Sequence, residues 1–186
     1  MPLTIPLHTE AESPSERLAA ARVLVVGGSP LGLRVVSMLQ KVGATSVAEA
    51  FGAHGPDLVE TVADHDLVVS AYQSVSPMIE LSDACEQTGR PFVWGEVNGN
   101  SYRASVFWPQ APGDWPSSTL RDLYPSSPQY DPEFDDPELA IVWSRLATIL
   151  ITEVQKLVQG GGEPMIGRVL EADSTAATWQ VRDISS

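Results

Sequence analysis

Three features of this 186-residue chain predict a doubly wound α/β fold with a mostly parallel sheet and a C-terminal antiparallel extension. The first is the stretch 22–39, RVLVVGGSPLGLRVVSML. There a β-branched run (23–26) passes through Gly27 and Gly28 into apolar residues at helical spacing: Leu31, Val35, Met38 and Leu39, then Val42. An apolar run with no polar break is the pattern of a strand buried on both faces of a parallel sheet. The second feature is the recurrence of such strands, DLVVSA at 66–71 and 91–96, with a helical pattern between them. The third is a closing pair of short strands, 167–172 and 178–183, close enough in sequence for an antiparallel hairpin.

Residues 1–15 are rich in proline, serine and charge and read as a flexible arm or an oligomer contact. Ser13 or Ser15 caps a helix running to Arg22, with Glu16 in its first turn. After the 22–39 unit come a strand at 45–50, ending near Glu49, and a loop with one helical turn at 52–62. A helix at 77–88 follows, with Pro77 near its start and Gly89 past its end. Strands at 91–96 and 102–108 are dominated by apolar and aromatic residues. Residues 110–137 break the periodicity with prolines, serines and aspartates, the mark of a crossing loop whose Trp115, Tyr124, Tyr130 and Phe134 rest on something. The longest helix, 137–159, buries Leu139, Val142, Leu146, Ile149, Leu150, Val154 and Leu157, and Gly160 to Gly162 end it. Residues 16–186 thus form one domain.

Composition narrows the function. A net charge of −13 repels nucleic acid and fits small-molecule or protein partners, or solubility alone. No apolar run approaches the roughly 20 residues that span a bilayer, and no secretory signal opens the chain, so a cytoplasmic location is expected. A single cysteine excludes an internal disulfide and a multi-cysteine zinc site. His8, His54 and His65 are scattered without ligand spacing.

Strand, glycine turn and helix open a Rossmann-like nucleotide-binding unit, whose helix N-terminus receives phosphate oxygens. Read as G-x-G-x-x-G, the loop supplies Gly27, Ser29 and Gly32, with Gly28 between. Ser29 replaces the glycine that admits a pyrophosphate closely, and Pro30 removes a donor. Gly27 and Gly32 serve either a phosphate site or only a tight turn. Glu49 stands where nicotinamide-binding folds place the carboxylate that holds ribose, about 20 residues past the glycines; a plain strand-end acid is the other reading.

Taken in order, ERLAAARVLVVGGSPLG, DLVVSA, LSDACEQTGRPFVWGEVNGNSYRASVFWP and EVQKLVQGGGEPMIGRVLEADSTAATWQVRDI resemble the ThiF/MoeB/HesA family. These are bacterial relatives of ubiquitin-activating enzymes, which adenylate the C-terminal glycine of ubiquitin-like sulfur carriers in thiamine and molybdopterin synthesis. The resemblance implies ATP and magnesium as cofactors, a sulfur carrier or an active paralogue as partner, and a homo- or heterodimer. It also locates departures. Of the acidic residue and Asn-Arg-Gln patch after the second strand, only Glu49 remains, and the next strand with its lysine-bearing loop is missing. Gln73 and Ser74 stand where the family's aspartate holds magnesium. An amide is a weaker magnesium ligand than a carboxylate, and carboxylate attack on a phosphate needs that charge offset. Cys85 lies in a helix and reads as packing, and the crossing loop has no cysteine for a thioester.

The expected role is a catalytically degraded binding partner, with a protein-binding surface built from 92–108 and the crossing loop. A minimal adenylyltransferase completed by a partner and a small NAD-binding protein are the alternatives.

Overall fold

The computed structural model describes residues 3–50, 54–72, 75–125 and 140–184. Its strands are β1 (Arg22–Val26), β2 (Ser46–Ala50), β3 (Leu67–Ser70), β4 (Phe92–Asn98), β5 (Ser101–Phe107), β6 (Arg168–Asp173) and β7 (Thr178–Asp183). They form one sheet in the order β2-β1-β3-β4-β5-β6-β7. The first four are parallel, and β5, β6 and β7 continue the sheet antiparallel, as the sequence predicts. The helices are α1 (Pro14–Ala20), α2 (Pro30–Lys41), α3 (Gly55–Ala63), α4 (Val75–Thr88), α5 (Leu120–Leu123) and α6 (Ala140–Gln159).

Alternation along the strands divides the core in two. Val23, Val25, Leu67, Val69, Val93, Ala104 and Val106 face the layer of α1, α2 and α6. Leu24, Val26, Val68, Phe92, Trp94 and Phe107 face α3 and α4. Burial on both faces is what an unbroken apolar strand requires. Among the described residues β2 is one edge of the sheet. No described helix is long and apolar enough to cross a membrane.

The structure corrects the sequence reading at three places. The expected flexible arm is docked: Ile5 is fully buried, its N–H donates to Leu157 O at 2.9 Å, and Arg17 donates to Ile5 O at 2.7 Å and Val158 O at 2.6 Å. One apolar side chain and one guanidinium hold a segment whose composition reads as loose. The single turn expected at 52–62 is the full helix α3. Glu80 of α4 accepts from Gly55 N at 2.7 Å and meets the His54 ring at 3.0 Å, while Leu58 and Val62 bury the inner face. Within the crossing segment, α5 adds a turn capped by Thr119 and Asp122. Residues 126–139, with Tyr130 and Phe134, lie outside the described residues.

Asp66 ties the arm to the sheet. Only 2% exposed, it accepts from Arg22 N at 2.8 Å and Arg22 Nη2 at 3.1 Å, and meets His8 Nδ1 at 2.9 Å. Burial pushes its pKa up, but the hydrogen bonds from Arg22 and His8 outweigh it and hold the carboxyl below its ordinary value. A carboxylate with a lowered folded pKa adds stability at neutral pH that vanishes as pH falls through that value. Asp66→Asn is therefore expected to cost about 2 kcal/mol in urea unfolding at pH 7. The deficit should shrink as the pH drops below the ordinary aspartate range.

Candidate functional site

In a doubly wound sheet the ligand crevice lies beyond the carboxyl ends of the strands, where the strand order reverses. Here that point falls between β1 and β3, because β2 lies on the other side of β1. The loop 27–29 crosses this point. Gly27, at φ +124, is buried; a Cβ there would meet the Ala71 carbonyl carbon at 2.6 Å and Tyr72 N at 2.7 Å. A Cβ on Gly32 would meet Gly27 O at 2.6 Å. Both glycines are thus required by packing of the chain on itself. Gly28 is exposed.

Ser29 caps α2. Its Oγ donates to Ala71 O at 2.6 Å and accepts from Gly32 N at 3.3 Å. Pro30 occupies the first helical position and has no N–H. Of the first three helical positions, only Leu31 keeps an N–H that no described residue takes. Arg34, the next cation along α2, lines a surface hollow with Lys41 and Ser144 between α2 and α6. The glycine loop is therefore a closed turn with a self-capped helix start and no cation in its hydrogen bonds. A magnesium–triphosphate needs converging donors and positive charge, and these described residues do not fit it.

Glu49 is exposed on the edge strand β2, beside Val25 and one pair short of the end of β1. Gln73 and Ser74 lie outside the described residues. Among the described residues no group of three or more His, Cys, Asp and Glu could hold a metal ion. Cys85 is fully buried, and burial alone pushes its thiol far above the ordinary value, so it packs as a small apolar group.

The sequence reading missed a polar cluster at the carboxyl end of β4. Glu96 and Arg103 face each other across the β4–β5 hairpin, with Arg103 Nε 2.8 Å from Glu96 Oε1. Tyr124, from the end of α5, joins both groups through its hydroxyl. The guanidinium carbon lies 5.7 Å from the Trp94 ring centroid and 5.3 Å from that of Tyr124. Burial, then the Glu96 carboxylate, raises the Tyr124 phenol well above its ordinary value, so it stays protonated and donates. The two-residue turn Gly99–Asn100, with Gly99 at φ +58, was the available signal: it sets the register that opposes Glu96 to Arg103.

The surface expected from 92–108 needs correction as well. Phe92, Trp94, Phe107 and Trp108 are core, because neighbouring layers cover both faces of these strands. Only the hairpin tip, residues 98–100, is fully exposed.

No protein-family model matches the chain. It is similar to the probable adenylyltransferase/sulfurtransferase MoeZ of Mycobacterium tuberculosis, at 31% identity over 125 residues, 66% of this chain and 32% of that protein. It is also similar to the adenylyltransferase and sulfurtransferase MOCS3 of Oryza sativa subsp. japonica, at 24% identity over 91% of this chain and 42% of that protein. The chain thus spans less than half the length of these relatives. Among solved structures, PaaA superposes with a TM-score of 0.70 at 13% identity, over 92% of this chain and 75% of that one. MccB of E. coli superposes with a TM-score of 0.70 at 15% identity, over 92% of this chain and 64% of that one. With the sequence motifs, the sheet order and these relatives agreeing, the chain belongs to the ThiF/MoeB family of adenylyltransferase-like proteins.

Proposed function

We propose that this chain is a non-catalytic member of its family that binds a ubiquitin-like sulfur carrier or an active paralogue in the cytoplasm. The observation that carries this reading is the seal made by Ser29. Its hydroxyl takes the Gly32 N–H and docks on Ala71 O, so the helix start that would meet phosphate is spent on the fold itself. The neutral Gln73 in place of a magnesium-binding aspartate supports it further. In this reading the carrier's glycine tail lies beside the loop after Val26 and the turn at Gln73, against the Glu96–Arg103–Tyr124 end of the sheet. Relatives supply the partner class: MoeZ and MOCS3 carry sulfurtransferase in their names, and MccB has been solved with MccA.

The Leu31 N–H outside the cap and the exposed Gly28 favour a second reading, a minimal adenylyltransferase completed by a partner subunit. MccB has been solved with ATP and resembles this chain with a TM-score of 0.66. The exposed Glu49 leaves NAD as the remaining nucleotide to test.

Calorimetric titration separates these readings. The expected outcome is heat from a carrier ending in Gly-Gly, none from ATP with or without magnesium, and no pyrophosphate exchange. Magnesium-dependent ATP binding with pyrophosphate exchange would establish the second reading, and heat from NAD alone the third. The seal has its own consequence for stability. Ser29→Gly strips a donor from the Ala71 carbonyl and is expected to cost about 1 kcal/mol in urea unfolding, most of it from that lost bond rather than from the cap.

A further inference from the structure

Cations are scarce in this chain, and their partners divide them. Of its 11 Lys and Arg residues, six form ion pairs, and Arg17 and Arg90 donate to backbone carbonyls. Arg34, Lys41 and Arg145 make no side-chain hydrogen bond or ion pair among the described residues. All three lie on the neighbouring helices α2 and α6. α2 carries no acidic residue, and the single one of α6, Glu153, is buried and engaged by Lys156 and by Met165 N. A chain of net charge −13 thus has one two-helix face with three such cations and no exposed carboxylate on either helix.

The same face is apolar where an outer helix surface is ordinarily polar. Leu33 of α2 and Ile141 of α6 are each 64% exposed. Leu33, Arg34, Ser37, Met38, Lys41 and Ser144 line a hollow between the two helices. Ile141 lies one turn before Ser144 and Arg145, which puts it on their side of α6. Arg34 and Lys41 are seven residues apart, so they share one side of α2 at a spacing of about 10 Å along its axis. Two packed helices leave a groove between their ridges, and a third helix fits such a groove.

We propose that this face receives an acidic amphipathic helix of a partner protein. Carboxylates two turns apart on that helix meet Arg34 and Lys41, a third meets Arg145, and aliphatic side chains seat between Leu33 and Ile141. Charge selects the occupant. Nucleic acid and an anionic bilayer present negative charge over areas much larger than this face, where the acidic remainder of the chain is repelled. A short acidic helix meets the three cations and little else. A second copy of the chain, docked through the same face, would bring like charges together across the two-fold axis. The outer surfaces of two helices form this face and the strand ends do not, so the inference goes beyond carrier binding and does not rest on it.

Fluorescence anisotropy of the full chain with a labelled helical peptide tests this, the peptide carrying Glu at i and i+7 with Leu between them on one face. A dissociation constant on the order of 10–100 μM is expected at about 50 mM salt, as for a small interface, rising with salt as exposed charges are screened. A peptide with Lys in place of each Glu should not bind. A scrambled peptide of the same charge should bind about tenfold more weakly, because it lacks a single apolar stripe. Arg34→Glu, Lys41→Glu and Arg145→Glu together should weaken binding at least about tenfold, since each exposed pair adds little and three reversals accumulate. Absence of binding at about 1 mM peptide would overturn the proposal. So would equal binding of the scrambled peptide, indifference to the triple reversal, or binding to phosphatidylserine vesicles in place of the peptide. A wild-type dimer in sedimentation velocity that the triple reversal dissociates would also overturn it, because the occupant is then the chain itself. If the triple variant fails to fold by circular dichroism, Lys41→Glu with Arg145→Glu decides, as both side chains are exposed.

Discussion

The close approach of the loop after β1 to the end of β3 sets the geometry of the whole carboxyl edge of the sheet. Ala71 is its anchor: its N–H donates to Val26 O at 2.8 Å, its carbonyl accepts from Ser29 Oγ at 2.6 Å, and its carbonyl carbon leaves no room for a side chain at Gly27. Each bond contributes about 1 kcal/mol, yet together they fix where α2 begins and how it leans on the strands. The same contacts occupy the Ser29 hydroxyl and the Gly32 N–H at the start of α2.

The other end of that edge is organised by charge. Glu96, Arg103 and Tyr124 link the β4–β5 hairpin to the end of α5, with Trp94 stacked beneath the guanidinium. A half-buried ion pair adds little by itself, but here both Glu96 oxygens are engaged, one by Arg103 and the other by the Tyr124 hydroxyl, which ties three side chains into one arrangement. The cluster pins the described end of the crossing segment to the sheet. A chain with so strong an acidic excess thereby keeps a cation at this edge, shielded by its own carboxylate.

Much of the architecture was legible in the residues. Unbroken apolar runs marked β1, β3 and β4, the helical spacing from Leu31 to Leu39 marked α2, and Ser13 or Ser15 with Glu16 marked the cap of α1, which the structure gives to Ser13. These signals are local: each lies within a few residues of what it specifies. The family motifs added the order of the segments, and the sheet follows it. Legibility ended where a distant residue decides. Residues 55–63 are too short and too polar at their start to read as a helix, but Glu80 caps them from α4. The arm reads as loose from its prolines and charges, whereas Arg17 and Leu157 hold Ile5.

At the candidate site the division is sharpest. That a glycine turn with Ser29 and Pro30 joins a buried strand to a helix is written in consecutive residues. That Ser29 seals the turn depends on Ala71, 42 residues away in the chain, arriving within hydrogen-bond distance. That Phe92, Trp94, Phe107 and Trp108 are core and not surface depends on the helices that cover them. Periodicity and turn chemistry act between near neighbours and so survive in the one-dimensional string. Which face is covered, and which donor is already taken, depends on partners that only the folded chain brings together.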